Sequence, residues 1–255
     1  MAFSELSWLA WTGLAVAAAL VGFSKTALPG INTLSVALFA AILPAKPSTG
    51  ALLILLMVGD AFALWTYRRS AHWPTLIRMI PAVLVGLAVG GLFLAFAGDG
   101  VVRRVIGILL LMLMGLTLWQ RRRRATAPGP SERPHHEQAS RFATAGYGSL
   151  GGFTTMVANA GGPVMSMYFL AARFPVHAFL GTAAWFFATM NVIKLPVSIG
   201  LGLVTPPSLL VDAVLVPAVV AGAFAGRWAA RRIRQSVFDV AVIVVTVLGA
   251  LYLLI

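Results

Sequence analysis

Residues 22–32 read Gly22-Phe23-Ser24-Lys25-Thr26-Ala27-Leu28-Pro29-Gly30-Ile31-Asn32, an apolar run that admits one lysine and then stops on Pro-Gly. The pattern returns 130 residues on, where Gly152-Phe153 leads into a second break at Asn159-Ala160-Gly161-Gly162-Pro163. Later markers keep nearly the same spacing. Asp60 stands opposite Asn191 at an offset of 131, and Pro81, Gly86 and Gly90 stand opposite Pro217, Gly222 and Gly226 at 136. Interrupted apolar segments at corresponding places in two halves point to an internal duplication, an arrangement in which broken helices gather around a site near the membrane midplane.

Composition identifies the solvent. Of 255 residues, 60% are hydrophobic and 10% charged, whereas soluble domains carry about 25% charged residues. The chain therefore reads as an integral membrane protein. A porin-like barrel needs alternating segments of roughly ten residues, but Val105 to Leu118 and Val240 to Ile255 are continuously apolar. With no cysteine, disulfides, thiolate metal sites, iron–sulfur ligation and cysteine nucleophiles are excluded. Met1 to Gly22 carries Glu5 and no Lys or Arg, unlike the positive start of a signal peptide, and reads as the first membrane segment.

Gly, Pro and Arg punctuation gives ten segments, at 6–22, 31–43, 48–67, 75–97, 101–120, 142–158, 163–172, 176–200, 208–227 and 236–255. The second and seventh are too short for the roughly 20 residues a span needs, so each is expected to be half of a broken or re-entrant hairpin. The polar stretch Arg121 to Arg141, with Arg121 to Arg124 and His135-His136, reads as a linker. The expected organisation is a first transmembrane repeat at 1–120, an Arg-rich linker at 121–141 and a second repeat at 142–255.

If the connections alternate sides, the linker side collects thirteen basic residues: Arg68, Arg69, the six arginines at 121–124, 133 and 141, Arg173, Arg227, Arg231, Arg232 and Arg234. The other side holds only Lys46, Arg103 and Arg104, and Lys25, Arg78 and Lys194 lie within segments. This asymmetry makes the linker side cytoplasmic and both termini external. Five segments per half is an odd number, so the second repeat would run inverted. The net charge of +12 thus orients the chain. Nucleic acid is not an expected partner, because no folded basic module with interleaved aromatics accompanies the charge.

An ionisable group at a helix centre costs at least ~2.5–3.5 kcal/mol in a membrane, so the few present carry most of the information. Lys25 precedes the first break. Lys194 follows Asn191 by three residues and shares its helix face, which Gly181, Ala184 and Ala188 continue as a small-residue stripe. That stripe admits either a neighbouring helix or a substrate, and snorkelling is the competing account of either lysine. Helices starting at Pro29 to Asn32 and at Gly162-Pro163 would turn backbone N–H groups and a partial positive charge inward, which suits an anion. Gly161 and Gly162 permit close backbone approach, and Asn159 adds amide donors; alternatively, these residues merely break helices for packing. Asp60 either balances a lysine, carries a proton, or pairs structurally with Lys25, Lys194 or Arg78. Asp212 reads as interfacial. Trp65, Tyr67 and Trp73 read as an interfacial belt, and Trp185 as either pathway or lipid-facing. His72 and His177 sit in short connections and no metal spacing occurs; nor is there a nucleotide-binding glycine loop.

Gly22-Phe23-Ser24-Lys25-Thr26-Ala27-Leu28-Pro29-Gly30, Asp60 with Tyr67-Arg68-Arg69, Asn159-Ala160-Gly161-Gly162-Pro163, Gly181-Thr182-Ala183-Ala184-Trp185-Phe186-Phe187 and Asn191-Val192-Ile193-Lys194, in this order, resemble the sulfite exporter TauE/SafE family. The resemblance covers roughly residues 13 to 250. It implies a multi-pass permease of the bacterial inner membrane, in a family associated with export, and in some members uptake, of sulfite, sulfonates and related organic anions. The long Arg-rich linker departs from the family pattern.

The expected fold is an all-α integral membrane protein of two inverted repeats, each of about five helical segments, with short broken or re-entrant helices near the midplane. The expected function is secondary transport of small anions by alternating access, coupled to protons if Asp60 titrates; an anion channel and a non-transporting accessory protein are the alternatives. Expected substrate-binding residues are Lys25, Thr26, Asn32, Asn159, Gly161, Gly162, Thr182, Asn191 and Lys194, with Asp60 coupling or balancing charge. No catalytic residue, metal or cofactor is expected. The expected partners are a small anionic substrate and the lipid bilayer, with a homo-oligomer also compatible with the sequence.

Overall fold

The computed structural model describes residues 6–27, 31–126, 141–171, 174–229, 247–248 and 251–254. Residues 28–30 in the first break, 127–140 in the linker, Arg173 and most of the tenth segment lie outside the described residues. Most of the described residues are helical, with no strand among them. In order they form α1 (Trp8–Thr26), α2 (Asn32–Ile42), α3 (Ala45–Tyr67), a 3-10 turn (Arg68–Ser70), α4 (Trp73–Phe96), α5 (Asp99–Thr126), α6 (Arg141–Ala158), α7 (Gly161–Ala171), α8 (Val176–Gly200) and α9 (Pro206–Ala229). Helix is the form that satisfies every backbone group within a single apolar segment.

Five of these helices are long and apolar enough to cross a membrane: Trp8–Thr26, Ala45–Ser70, Trp73–Phe96, His177–Gly200 and Pro206–Trp228. Their outer faces are apolar, with Trp8 77%, Leu210 72% and Phe96 87% exposed, a surface that calls for lipid rather than water. The two short segments are as brief as their sequence suggests. Both α2 and α7 have 11 residues, roughly 16 Å at 1.5 Å per residue and about half of a ~30 Å hydrocarbon core.

The helix ends are held by specific side chains. Ser7 Oγ accepts from the N–H of Ala10 at the start of α1 (3.2 Å). The carboxylate of Asp99, from α5, accepts from the N–H groups of Ala45 (3.2 Å) and Lys46 (2.8 Å) at the start of α3. One end of the structure thus depends on a cap supplied from another helix.

The most extensive packing joins α4 to α6 and α1 to α9. Glycines set both seams. A β-carbon on Gly22 would strike the backbone of Val219 and Ala223 in α9, and one on Gly222 the backbone of Ala19 in α1. In the other seam, Gly152 lies against the backbone of Val83 and Leu87, and Gly86 against that of Ser149 and Phe153. Gly22 and Gly152 are the pair spaced by 130, and Gly86 and Gly222 the pair spaced by 136, so the two seams use corresponding residues. Within the α4–α6 seam, Gly148 meets Ala82, Gly152 meets Val83 and Leu87, and Gly90 meets Met156. The contacts advance together along both helices, which therefore run in the same direction.

Three expectations change. Arg121 to Arg124, read as loop, continue α5 to Thr126, in keeping with the high helix propensity of arginine. Asp212, read as interfacial, is 1% exposed. It shares an inward face of α9 with Ser208, Val211, Leu215 and Val219, all buried, and the i, i+3, i+4 spacing of that face decides its place over the nearness of the helix end. Trp185 is neither pathway nor free lipid surface. Its Nε1 donates to the carbonyl of Arg68 (3.1 Å) and its ring lies 5.0 Å from that of Trp73, fastening α8 to the 3-10 turn.

Candidate functional site

A cavity lies where helices of the two halves converge, with Ser24, Lys25, Asn32, Asp60, Thr155, Asn159, Gly162 and Asn191 supplying its polar lining. Leu56, Ala63, Leu180, Ala183, Ala184 and Phe187 form the apolar remainder. Its volume of about 30 Å³ is room for roughly two waters.

Lys25 sits in the last turn of α1, and its ammonium pairs with Asp60 Oδ1 of α3 at 2.5 Å. Gly59 makes the approach feasible, because a β-carbon there would meet the Lys25 stem at 2.9 Å. The Phe187 ring of α8 faces the same ammonium at 4.8 Å from its centroid, a favourable placement for a cation over an aromatic face. The second oxygen of Asp60 accepts from Asn191 Nδ2 at 2.6 Å. Both oxygens of this carboxylate are thereby engaged, one from each half of the chain.

Lys194 stands one turn along α8 from Asn191 and is 2% exposed. Its ammonium donates to Asn159 Oδ1 (2.5 Å), to the Thr155 carbonyl (2.6 Å) and, at 3.5 Å, to Asn191 Oδ1. The snorkelling account of Lys194 fails on this geometry: the side chain turns inward to the end of α6. The Thr155 carbonyl also accepts from the N–H of Asn159 (3.1 Å), and the second lone pair of a carbonyl oxygen leaves room for the ammonium.

Asn159 terminates α6 with φ 51°, the one left-handed residue other than glycine among the described residues. Asparagine tolerates that region better than most residues. Its Nδ2 donates to the Thr49 carbonyl of α3 (2.9 Å), and its own carbonyl accepts from Asn32 Nδ2 at the start of α2 (2.8 Å). The network thus runs without interruption from Lys25 through Asp60, Asn191, Lys194 and Asn159 to Asn32.

Of the residues expected to bind substrate, Lys25, Asn32, Asn159, Gly162 and Asn191 line the cavity, as does Asp60. Lys194 lies behind Asn159 and Asn191. The other three have different work. Gly161 meets Thr155 and Gly151, so its lack of a side chain lets α7 fold back on α6. Thr26 Oγ1 donates to the Ala223 carbonyl (2.9 Å) in the α1–α9 seam. Thr182 Oγ1 accepts from the N–H of His72 ahead of α4 (2.9 Å). Ser24, Thr155 and Phe187 line the cavity without having been singled out as site residues. Thr155 had a signal in the sequence, since it stands 130 residues after Lys25 and occupies the lysine's place in the second half.

The family model described as Sulfite exporter TauE/SafE matches residues 14–253. The chain belongs to the TauE/SafE family. No curated protein and no solved structure gives a match. As a TauE/SafE member the chain is a membrane transport protein, and its buried polar network sits among helices long and apolar enough to span the bilayer. Among the described residues no cluster of His, Asp and Glu has the makings of a metal site.

Proposed function

We propose that this TauE/SafE protein carries small anions, in particular sulfite, organosulfonates or related sulfur-containing anions, across the bacterial inner membrane by alternating access. One observation carries the reading: Lys25 and Asp60 line a small cavity between the halves and Lys194 stands behind its Asn159 and Asn191 wall, formally one positive charge in excess. The starts of α2 and α7 add backbone donors around the same space. Lysine acts as a compact point charge rather than a planar fork, which suits oxyanions of several shapes.

In this reading Asp60 is the resident counter-charge of Lys25. A proton on Asp60 would weaken the pair and release the ammonium to the anion, so proton and anion would travel together. The corresponding glycine seams support two inverted repeats, with the connection between α5 and α6 cytoplasmic and both termini external. Alternating access would then be a rocking of one seam-bound pair against the other.

Proteoliposome counterflow with sulfite, sulfate, thiosulfate, sulfoacetate and small carboxylates tests the proposal. Transient accumulation of labelled sulfite against its gradient, driven by an unlabelled sulfur anion, is the expected result. Saturation-free flux without counterflow would mean a channel, and no flux for any member of the panel would mean a non-transporting accessory protein.

A further inference from the structure

The charged and amide groups around the cavity are nearly all matched. Lys25 and Asp60 hold each other, Asn191 uses its amide on Asp60 and its carbonyl on Lys194, and Asn159 uses both ends of its side chain. Asn32 is the exception. It lines the cavity, is 7% exposed, and its Oδ1 is buried without a hydrogen-bond partner. The orientation of its amide is fixed by chemistry, because Nδ2 donates to the Asn159 carbonyl at 2.8 Å and the flipped amide would set two acceptors against each other.

Asn32 is also the first residue of α2, so its acceptor stands beside the backbone donors of a helix start. A plain oxyanion offers acceptors only. It can satisfy ammonium groups and helix N–H groups but has nothing for Asn32 Oδ1. The hydroxyls of Ser24 and Thr155 do not discriminate, since each can donate or accept. An amide oxygen can only accept, and leaving it unmatched beside a ligand is costly.

We infer that the preferred ligand is an anion bearing a hydrogen-bond donor next to its charged head, and that Asn32 Oδ1 reads this donor. The donor is either an O–H on the head itself, as in a singly protonated oxyanion, or a hydroxyl or ammonium group on a short substituent. This inference rests on the anion-carrying reading above and narrows its substrate class.

Two matched pairs separate the sources. Methylphosphonate monoanion and methanesulfonate share shape and charge and differ in one O–H on the head. 2-Hydroxyethanesulfonate and ethanesulfonate share the head and differ in one hydroxyl on the tail. Apparent affinities of the purified full chain in detergent can be read from ligand-induced shifts in thermal unfolding. The expected result is a preference of roughly 3- to 10-fold, one hydrogen bond's worth, for the donor-bearing member of one pair. N32L should level that preference while changing affinity for the donor-free member by less. N32D keeps an acceptor and should weaken all four ligands while retaining the preference, which guards against N32L failing to fold. Equal affinities within both pairs of the native protein overturn the inference and leave anion transport standing, as does a preference that survives N32L. If none of the four anions shifts the unfolding, the anion site itself is wrong.

Discussion

Asp60 and Asn191, 131 positions apart and opposite one another in the duplicated pattern, are in direct contact, the amide of Asn191 donating to the carboxylate at 2.6 Å. A residue that touches its own counterpart lies where the two halves meet. One member of the pair can carry a proton and the other cannot, so the site is built from corresponding positions with unlike chemistry.

Asp60→Asn leaves the shape of the site nearly unchanged and removes the counter-charge from Lys25. Downhill anion exchange in proteoliposomes should persist, while accumulation driven by an imposed pH gradient should fall to the level of protein-free vesicles. Native-like accumulation by D60N would remove Asp60 from coupling.

Lys194→Met removes three donated hydrogen bonds and strands Asn159 Oδ1. Losing a charged hydrogen bond is worth about 1.5–3 kcal/mol, so initial rates of anion uptake should drop by at least about tenfold, with the protein still inserted. Insertion is checked by its yield in the membrane fraction; unchanged flux would exclude Lys194 from the site.

Gly22→Ala and Gly152→Ala should each lower thermal stability in detergent, because the new methyl group meets backbone that has no rotamer by which to retreat. A loss of at least about 1–3 kcal/mol is expected for overpacking of this kind. Gly146→Ala, where a β-carbon meets nothing within 4 Å, should be neutral or slightly stabilising. Equal melting temperatures for all three would contradict the glycine seams.

Asn159→Ala and Asn159→Gly both delete the bonds to Lys194 and Thr49, but only glycine adopts the observed φ of 51° without strain. The alanine variant should therefore be less stable than the glycine variant by about 1–2 kcal/mol. A comparison of their unfolding temperatures settles whether the end of α6 holds this conformation in the membrane protein.

Asp212 has both carboxylate oxygens buried without a hydrogen-bond partner. Burying such a group unmatched costs about 1–3 kcal/mol, so Asp212→Leu should be no less stable than the native chain and should melt higher if packing absorbs the larger side chain. Marked destabilisation would reveal a partner for this carboxyl.

The parts of this fold governed by local chemistry were legible in the sequence. The breaks at Asn32 and Gly161, the brevity of α2 and α7, and the shared face of Asn191 and Lys194 follow from Gly, Pro and helical periodicity. The pairing of Asp60 with Lys25 was one of three partners the sequence allowed, and only the packing of α1 on α3 across Gly59 selected it. Thr26 and Thr182 stand within the motifs that carry the family resemblance. Their hydroxyls in fact meet Ala223 and His72, contacts 197 and 110 residues away in sequence that no local pattern encodes. Asp212 was misplaced for the same reason, since hydropathy sees distance from a helix end and not which face turns inward.

The glycine seams also govern how the protein is made. Gly22 and Gly222 lie 200 positions apart, and at ~5–20 residues per second the ribosome delivers α9 roughly 10–40 s after α1 has entered the membrane. Throughout that interval the first helix waits in lipid with its closest-packed face uncovered. Neither half can complete its own surface, so the two halves expressed apart should be degraded and, expressed together, should be recovered as one complex.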